Sequence, residues 1–153
     1  MPTVSFTLNG SPVTAEHEEG THLLELLREG FGIRTLKDGC APEGFCGSCT
    51  VLIDGSPMPA CSKSADQVAG HEVVTLDGIP EEERRTLAEA FVSHGAVQCG
   101  FCTPGMLISA TALLAENPSP TEEEIRIGLS GNLCRCTGYD GIVKAVLSVT
   151  GDM

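Results

Sequence analysis

Gly39-Cys40-Ala41-Pro42-Glu43-Gly44-Phe45-Cys46-Gly47-Ser48-Cys49-Thr50-Val51 holds three cysteines, and a fourth, Cys61, follows beyond the next strand and turn. The spacing is C-x5-C-x2-C-x11-C. Thiolates this dense, interleaved with Gly39, Gly44 and Gly47, suit a loop wrapped around a small inorganic core. The glycines permit tight backbone conformations and let amide N–H groups point at bridging sulfides. Structural zinc sites usually use two close C-x2-C pairs. Cys46 and Cys49 form one, but Cys40 and Cys61 do not form the second. An iron–sulfur cluster is therefore the reading that uses all four, with zinc and plain buried thiols as the alternatives.

Four more cysteines lie in the second half: Cys99-Gly100-Phe101-Cys102, then Cys134-Arg135-Cys136. A C-x-C pair is tighter than most zinc fingers use. Both pairs precede expected helices, whose free N–H groups and positive dipole ends favour an anionic thiolate cage. A redox C-x2-C dithiol is the other reading of Cys99 and Cys102, but the βαβ pattern that accompanies such motifs is missing.

Working outward, the first half reads as strands and turns. Val4, Phe6 and Leu8 alternate, Asn9-Gly10 is a hairpin turn, and residues 12–16 make the return strand. Thr21 is expected to cap a helix with Leu23, Leu24, Leu26 and Leu27 on its apolar stripe, ending near Gly30 or Gly32. Residues 50–54 and 72–76 are short strands. The second half reads as four helices. One spans 81–94, burying Leu87, Ala88, Phe91 and Val92. The next is capped by Thr103 with Pro104 at its first position, and carries Met106, Leu107, Ala110, Leu113 and Leu114. The third opens on a Thr121/Glu124 capping box. The last covers 139–149 with Ile142, Val143, Val146 and Leu147. The expected fold is α+β: a small α+β domain over residues 1–78, then an all-α four-helix-bundle domain over 79–153.

The formal net charge is −12. That argues against nucleic acid, which needs a basic face, and against an anionic membrane surface. No apolar run approaches the ~20 residues of a membrane span, and residues 1–6 lack a signal-peptide pattern. A cytoplasmic location is expected. Thiols stay reduced there, so four disulfides are not.

The motifs Gly39-Cys40 to Cys46-Gly47-Ser48-Cys49-Thr50-Val51, Gln98-Cys99-Gly100-Phe101-Cys102-Thr103-Pro104-Gly105-Met106 and Gly131-Asn132-Leu133-Cys134-Arg135-Cys136-Thr137-Gly138-Tyr139 resemble the iron–sulfur small subunit of the molybdenum hydroxylases. That is the xanthine oxidase family, with aldehyde oxidoreductases and carbon monoxide dehydrogenase. The resemblance covers nearly the whole chain, and it implies a plant-ferredoxin-like β-grasp domain followed by a four-helix domain. It implies two [2Fe–2S] clusters, ligated by Cys40, Cys46, Cys49 and Cys61 and by Cys99, Cys102, Cys134 and Cys136. It implies a large subunit with a molybdopterin–molybdenum cofactor, which oxidises an aldehyde, purine, N-heterocycle, CO or similar substrate. It also implies a medium subunit with FAD, or another acceptor, in a hetero-oligomer such as a dimer of heterotrimers. Electrons would pass to the helical-domain cluster, then the ferredoxin-domain cluster, then the acceptor. Gln98 matches a position that contacts the pterin, and the sulfur side of Cys136 also approaches it. One departure is the five-residue gap between Cys40 and Cys46, where the family usually has four. Adrenodoxin-like proteins also use five. Phe45 in that gap is expected either to shield the cluster or simply to pack.

No substrate site is expected in the chain. His17, His22, His71 and His94 have no catalytic spacing, and the glutamates at 81–83 and 122–124 suit helix starts. A free-standing two-cluster ferredoxin is the alternative. The second domain weighs against it, because a carrier needs one cluster and a recognition surface.

Overall fold

Alternating apolar residues lay down the sheet of this computed structural model, which describes residues 1–150. The last three positions of the expected 79–153 unit lie outside the described residues. Strand β1 (Thr3–Leu8) buries Val4, Phe6 and Leu8 on one face. It turns through Asn9-Gly10, both at positive φ, into antiparallel β2 (Ser11–Glu16). Strands β3 (Thr50–Ile53), β4 (Ser56–Pro59) and β5 (Glu72–Val74) complete one five-stranded sheet in the order β2-β1-β5-β3-β4. Among the described residues, only the β1–β5 pairing is parallel. Strand β4 carries Pro57 and Pro59. It can do so because it is an edge strand, where a missing N–H costs no ladder bond.

The leucine helix is shorter than expected. Helix α1 (Leu23–Glu25) passes at once into a wide π-type turn over Leu26–Gly30. Its cap is His22, whose side chain accepts the Glu25 N–H at 3.1 Å, and not Thr21. All four leucines are nevertheless buried under the sheet.

Four helices follow: α2 (Glu81–Ser93), α3 (Thr103–Glu116), α4 (Glu122–Gly128) and α5 (Asp140–Ser148). Helix α2 buries Leu87, Ala90 and Phe91, while Val92 is exposed. The stripe at i, i+3 and i+4 is what its packing covers, and Val92 lies a further 100° around the helix. Helix α3 is buried on nearly all sides. Met106, Leu107, Ala110 and Leu114 join the helical core, and Ile108 meets Leu52 and Ile79 in a small cluster reaching the sheet. The capping box forms as expected, with Glu124 N–H to Thr121 Oγ1 at 3.2 Å and Thr121 N–H to Glu124 Oε2 at 2.7 Å. The mixed sheet followed by helices makes the chain α+β. None of the helices is long and apolar enough to cross a membrane among the described residues.

Candidate metal centres

The β3–β4 hairpin decides where the first four thiols meet. Its Asp54-Gly55 turn, with both residues at positive φ, sets Thr50 opposite Pro59. Cys49, just before β3, therefore faces Cys61, in the 3-10 turn Ala60–Ser62 just after β4. Both are buried, and Cys61 N–H points at Cys49 Sγ at 3.4 Å. The 39–48 loop supplies the other pair. Cys40 Sγ receives the N–H groups of Phe45 at 3.2 Å and Cys46 at 3.3 Å. Ser48 Oγ stands 3.1 Å from Cys46 Sγ. The pair Cys40/Cys46 thus lies outward and Cys49/Cys61 inward. Phe45 is 70% exposed, so it is neither packed nor a buried shield.

The second four thiols come from two loops that precede helices. Cys102 is itself the N-cap residue of α3. Thr103, expected as the cap, is the first helical residue, and its buried Oγ1 has no hydrogen-bond partner among the described residues. Cys134 and Cys136 precede α5, whose N-cap Tyr139 sits at φ +75. Tyr139 Oη accepts the Cys134 N–H at 2.9 Å and pins this loop. The sulfurs pair across the loops. Cys99 and Cys136 are 3.5 Å apart at the surface, while Cys102 and Cys134 neighbour each other beneath. Phe101, Leu133, Arg135 and Tyr139 complete the walls of a cleft of about 440 Å³ around these four cysteines. Gln98 is exposed, and its Nε2 donates to Cys136 O at 3.1 Å, tying the two loops together.

The protonation of these thiols tests what they can hold. Cys61 is pushed up to about 12, first by burial and then by the charge of neighbouring Cys49. Cys102 is also pushed up to about 12, by burial and then by Cys134. Burial opposes ionisation at Cys134 too, but there the Thr137 hydroxyl and backbone N–H groups outweigh it and bring the thiol down to about 7. The Cys46 N–H lowers Cys40, and the Phe101 N–H lowers Cys99. Each site thus mixes thiolates favoured by N–H donors with buried thiols that ionise only beside a cation. Iron supplies that charge. Among the described residues, no three Cys, His, Asp or Glu side chains converge as on a single metal ion. Sulfurs in two pairs fit a two-iron rhomb, each iron taking one pair, and do not fit one tetrahedral zinc. The buried Thr103 hydroxyl beside Cys102 would donate to a cluster sulfur held there. The residues present fit the group.

The two sites touch through the backbone. Leu133 N–H, next to Cys134, donates to Cys46 O at 2.8 Å. Asn132 adds a buried side-chain contact, its Nδ2 donating to Gly47 O at 3.1 Å. Sequence reasoning quoted Asn132 within a motif without giving it a role. Its partner is 85 positions away, so no local pattern signals it. The histidines are held in local contacts: His17 Nε2 with Asp66 Oδ1 at 3.0 Å, for example, and His94 Nδ1 with Ala90 O at 2.9 Å.

Comparison with known proteins agrees with this geometry. Residues 6–76 match the family model of the 2Fe-2S iron-sulfur cluster binding domain, and residues 75–147 match that of the [2Fe-2S] binding domain. The chain is 48% identical to the nicotinate dehydrogenase small FeS subunit of Eubacterium barkeri, over 94% of this chain and 92% of that one. It is 47% identical to the xanthine dehydrogenase iron-sulfur-binding subunit of Escherichia coli O157:H7, over 95% and 92%. Among solved structures, a chain of quinoline 2-oxidoreductase from Pseudomonas putida 86 superposes with a TM-score of 0.90 at 46% identity, covering 95% of this chain and 90% of that one.

Proposed function

This chain belongs to the iron–sulfur small subunits of the molybdenum hydroxylases, electron-transfer subunits of multi-subunit oxidoreductases, and from that premise we propose its route and its ligands. Cys40 and Cys46 hold one iron of the first [2Fe–2S] cluster, and Cys49 and Cys61 the other. Cys99 with Cys136, and Cys102 with Cys134, do the same for the second. The first cluster belongs to a β-grasp unit over 1–78, the second to a four-helix-bundle unit over 79–153. When bound, the clusters supply one-electron steps. The chain's own residues fix where they sit, which N–H groups face their sulfurs and how much water reaches them.

The second site faces outward. Cys99 and Cys136 are exposed, and so are Phe101 and Leu133, which flank them. This is the side for a large molybdopterin-bearing subunit. Gln98 uses Nε2 within the chain, which leaves Oε1 to accept from the pterin edge, and the Cys136 sulfur lies alongside. Electrons enter here, pass to the first site and leave to FAD on a medium subunit, within a hetero-oligomer, a dimer of heterotrimers, in the cytoplasm. The observation that carries the route is the Leu133 N–H to Cys46 O bond. It joins the residue beside a ligand of one site to a ligand of the other through a single hydrogen bond.

Cys46→Ser in the assembled complex tests the order. The substitution keeps the backbone carbonyl and so keeps the link. Substrate should still reduce the second cluster, the first should be lost or altered, and acceptor turnover should fall sharply. Intact acceptor turnover with the first cluster gone would reverse or remove the proposed order.

A further inference from the structure

Asn132 is a buried amide, 4% exposed, placed where the two halves meet. Its Nδ2 donates to Gly47 O at 3.1 Å and lies 3.4 Å from Thr50 Oγ1. Its Oδ1 accepts the Ser109 hydroxyl at 2.6 Å. One side chain therefore ties the loop carrying Cys134 to the loop carrying Cys46 and Cys49, to the start of β3 and to the middle of α3. The neighbouring backbones leave no slack. A Cβ on Gly47 would sit 2.3 Å from Gly131 O, and one on Gly105 would sit 2.3 Å from Gly47 O. The seam is backbone on backbone, and Asn132 is the side chain that fills and satisfies it.

We propose that Asn132 is a positioning residue that sets the separation and mutual orientation of the two clusters, and so the rate at which an electron passes between them. This rests on the two-cluster reading above. Tunnelling falls off exponentially with distance, so a relay needs its centres held rigidly. A buried amide with both ends satisfied provides such a hold. Shifting the loop would leave the Ser109 hydroxyl unpaired and strip a donor from Gly47 O, and unmade hydrogen bonds in a buried place are costly. Asn132 is not a ligand, so its removal acts on geometry and not on the iron.

The test uses the assembled complex with Asn132→Ala. Low-temperature electron paramagnetic resonance of the fully reduced complex reads the dipolar interaction between the clusters, which scales with the inverse cube of their separation. A redox titration reads each midpoint potential, and rapid mixing reads transfer from the second cluster to the first. Expected are unchanged iron content, unchanged potentials, an altered dipolar splitting and slower transfer from the second cluster to the first. Unaltered splitting and rate, with both clusters present, would overturn the proposal. If Asn132→Ala does not assemble, Ser109→Ala decides by the same readouts. It keeps the amide but releases Oδ1, so a broadened splitting supports the positioning role and an unchanged one overturns it. Lack of labile sulfide in the unsubstituted complex would instead strike the two-cluster reading, so the two failures are told apart.

Discussion

Single residues carry the contrast between the two sites. Cys49 and Cys61 are buried, whereas Cys99 and Cys136 lie open at the surface. An iron held by Cys99 and Cys136, as proposed, would sit at the edge of the chain and face a partner's centre. Gln98 stands at that edge. The hydrogen bond from its side-chain N–H to Cys136 O is worth roughly 0.5–1.5 kcal/mol net, like other single hydrogen bonds. Gln98→Ala should leave iron content normal, because glutamine is not a ligand. It should slow reduction of the second cluster by substrate, seen by rapid mixing on the assembled complex with full molybdenum occupancy. An unchanged rate would reduce Gln98 to a residue that only ties two loops together. Phe45 has no comparable role in shielding the first site. It projects from the five-residue gap, which gives Cys40 two N–H donors, from Phe45 and Cys46, without folding a ring over the sulfurs.

At the scale of elements, the helix starts do much of the electrostatic work. The Thr121/Glu124 box on α4 is the clearest case, and Thr121→Ala should cost about 1 kcal/mol in chemical denaturation of the chain. The Thr121 N–H, followed by Asn117 Nδ2, holds the Glu124 carboxyl below its usual value of 4.5. A depressed carboxylate contributes stability that is complete above its unfolded value and is lost as pH falls through the folded one. Hydrogen-exchange protection at the start of α4 should therefore drop only below pH 4.5, and Glu124→Gln should remove that dependence.

This box was legible in the sequence because it is local, and so were β1, β2 and the cysteine loops, whose signals lie within a few residues. Other features were not. Strand β4 hides behind two prolines that argue against a strand unless the edge position is known. Cys102 takes the cap that Thr103 seemed made for, since the loop must already be turning to present its thiol. Val92 was expected inside, but which face of α2 is covered depends on its neighbours. The pairing of sulfurs and the role of Asn132 were out of reach, because both depend on contacts across dozens of residues.

The whole molecule is two cores joined by a small third cluster under helix α3. Helix α3 gives Met106, Leu107, Ala110 and Leu114 to the helical side and Ile108 to the sheet side, and Gly105 and Ser109 meet the seam beside Gly47 and Asn132. A freely mobile carrier would gain nothing from so rigid a seam, but a fixed relay between two partner centres requires it. Phe101 and Leu133 are exposed beside the outer thiols, on the side proposed for the large subunit. The formal net charge of −12 disfavours contact with other polyanions. Electron relay through this chain depends on what the eight thiols hold. Its most direct test is metal and acid-labile sulfide analysis of the purified complex, with electron paramagnetic resonance after reduction. About four iron and about four labile sulfides per chain are expected, with two distinguishable signals from the two differently built sites. Stoichiometric zinc without labile sulfide would contradict it.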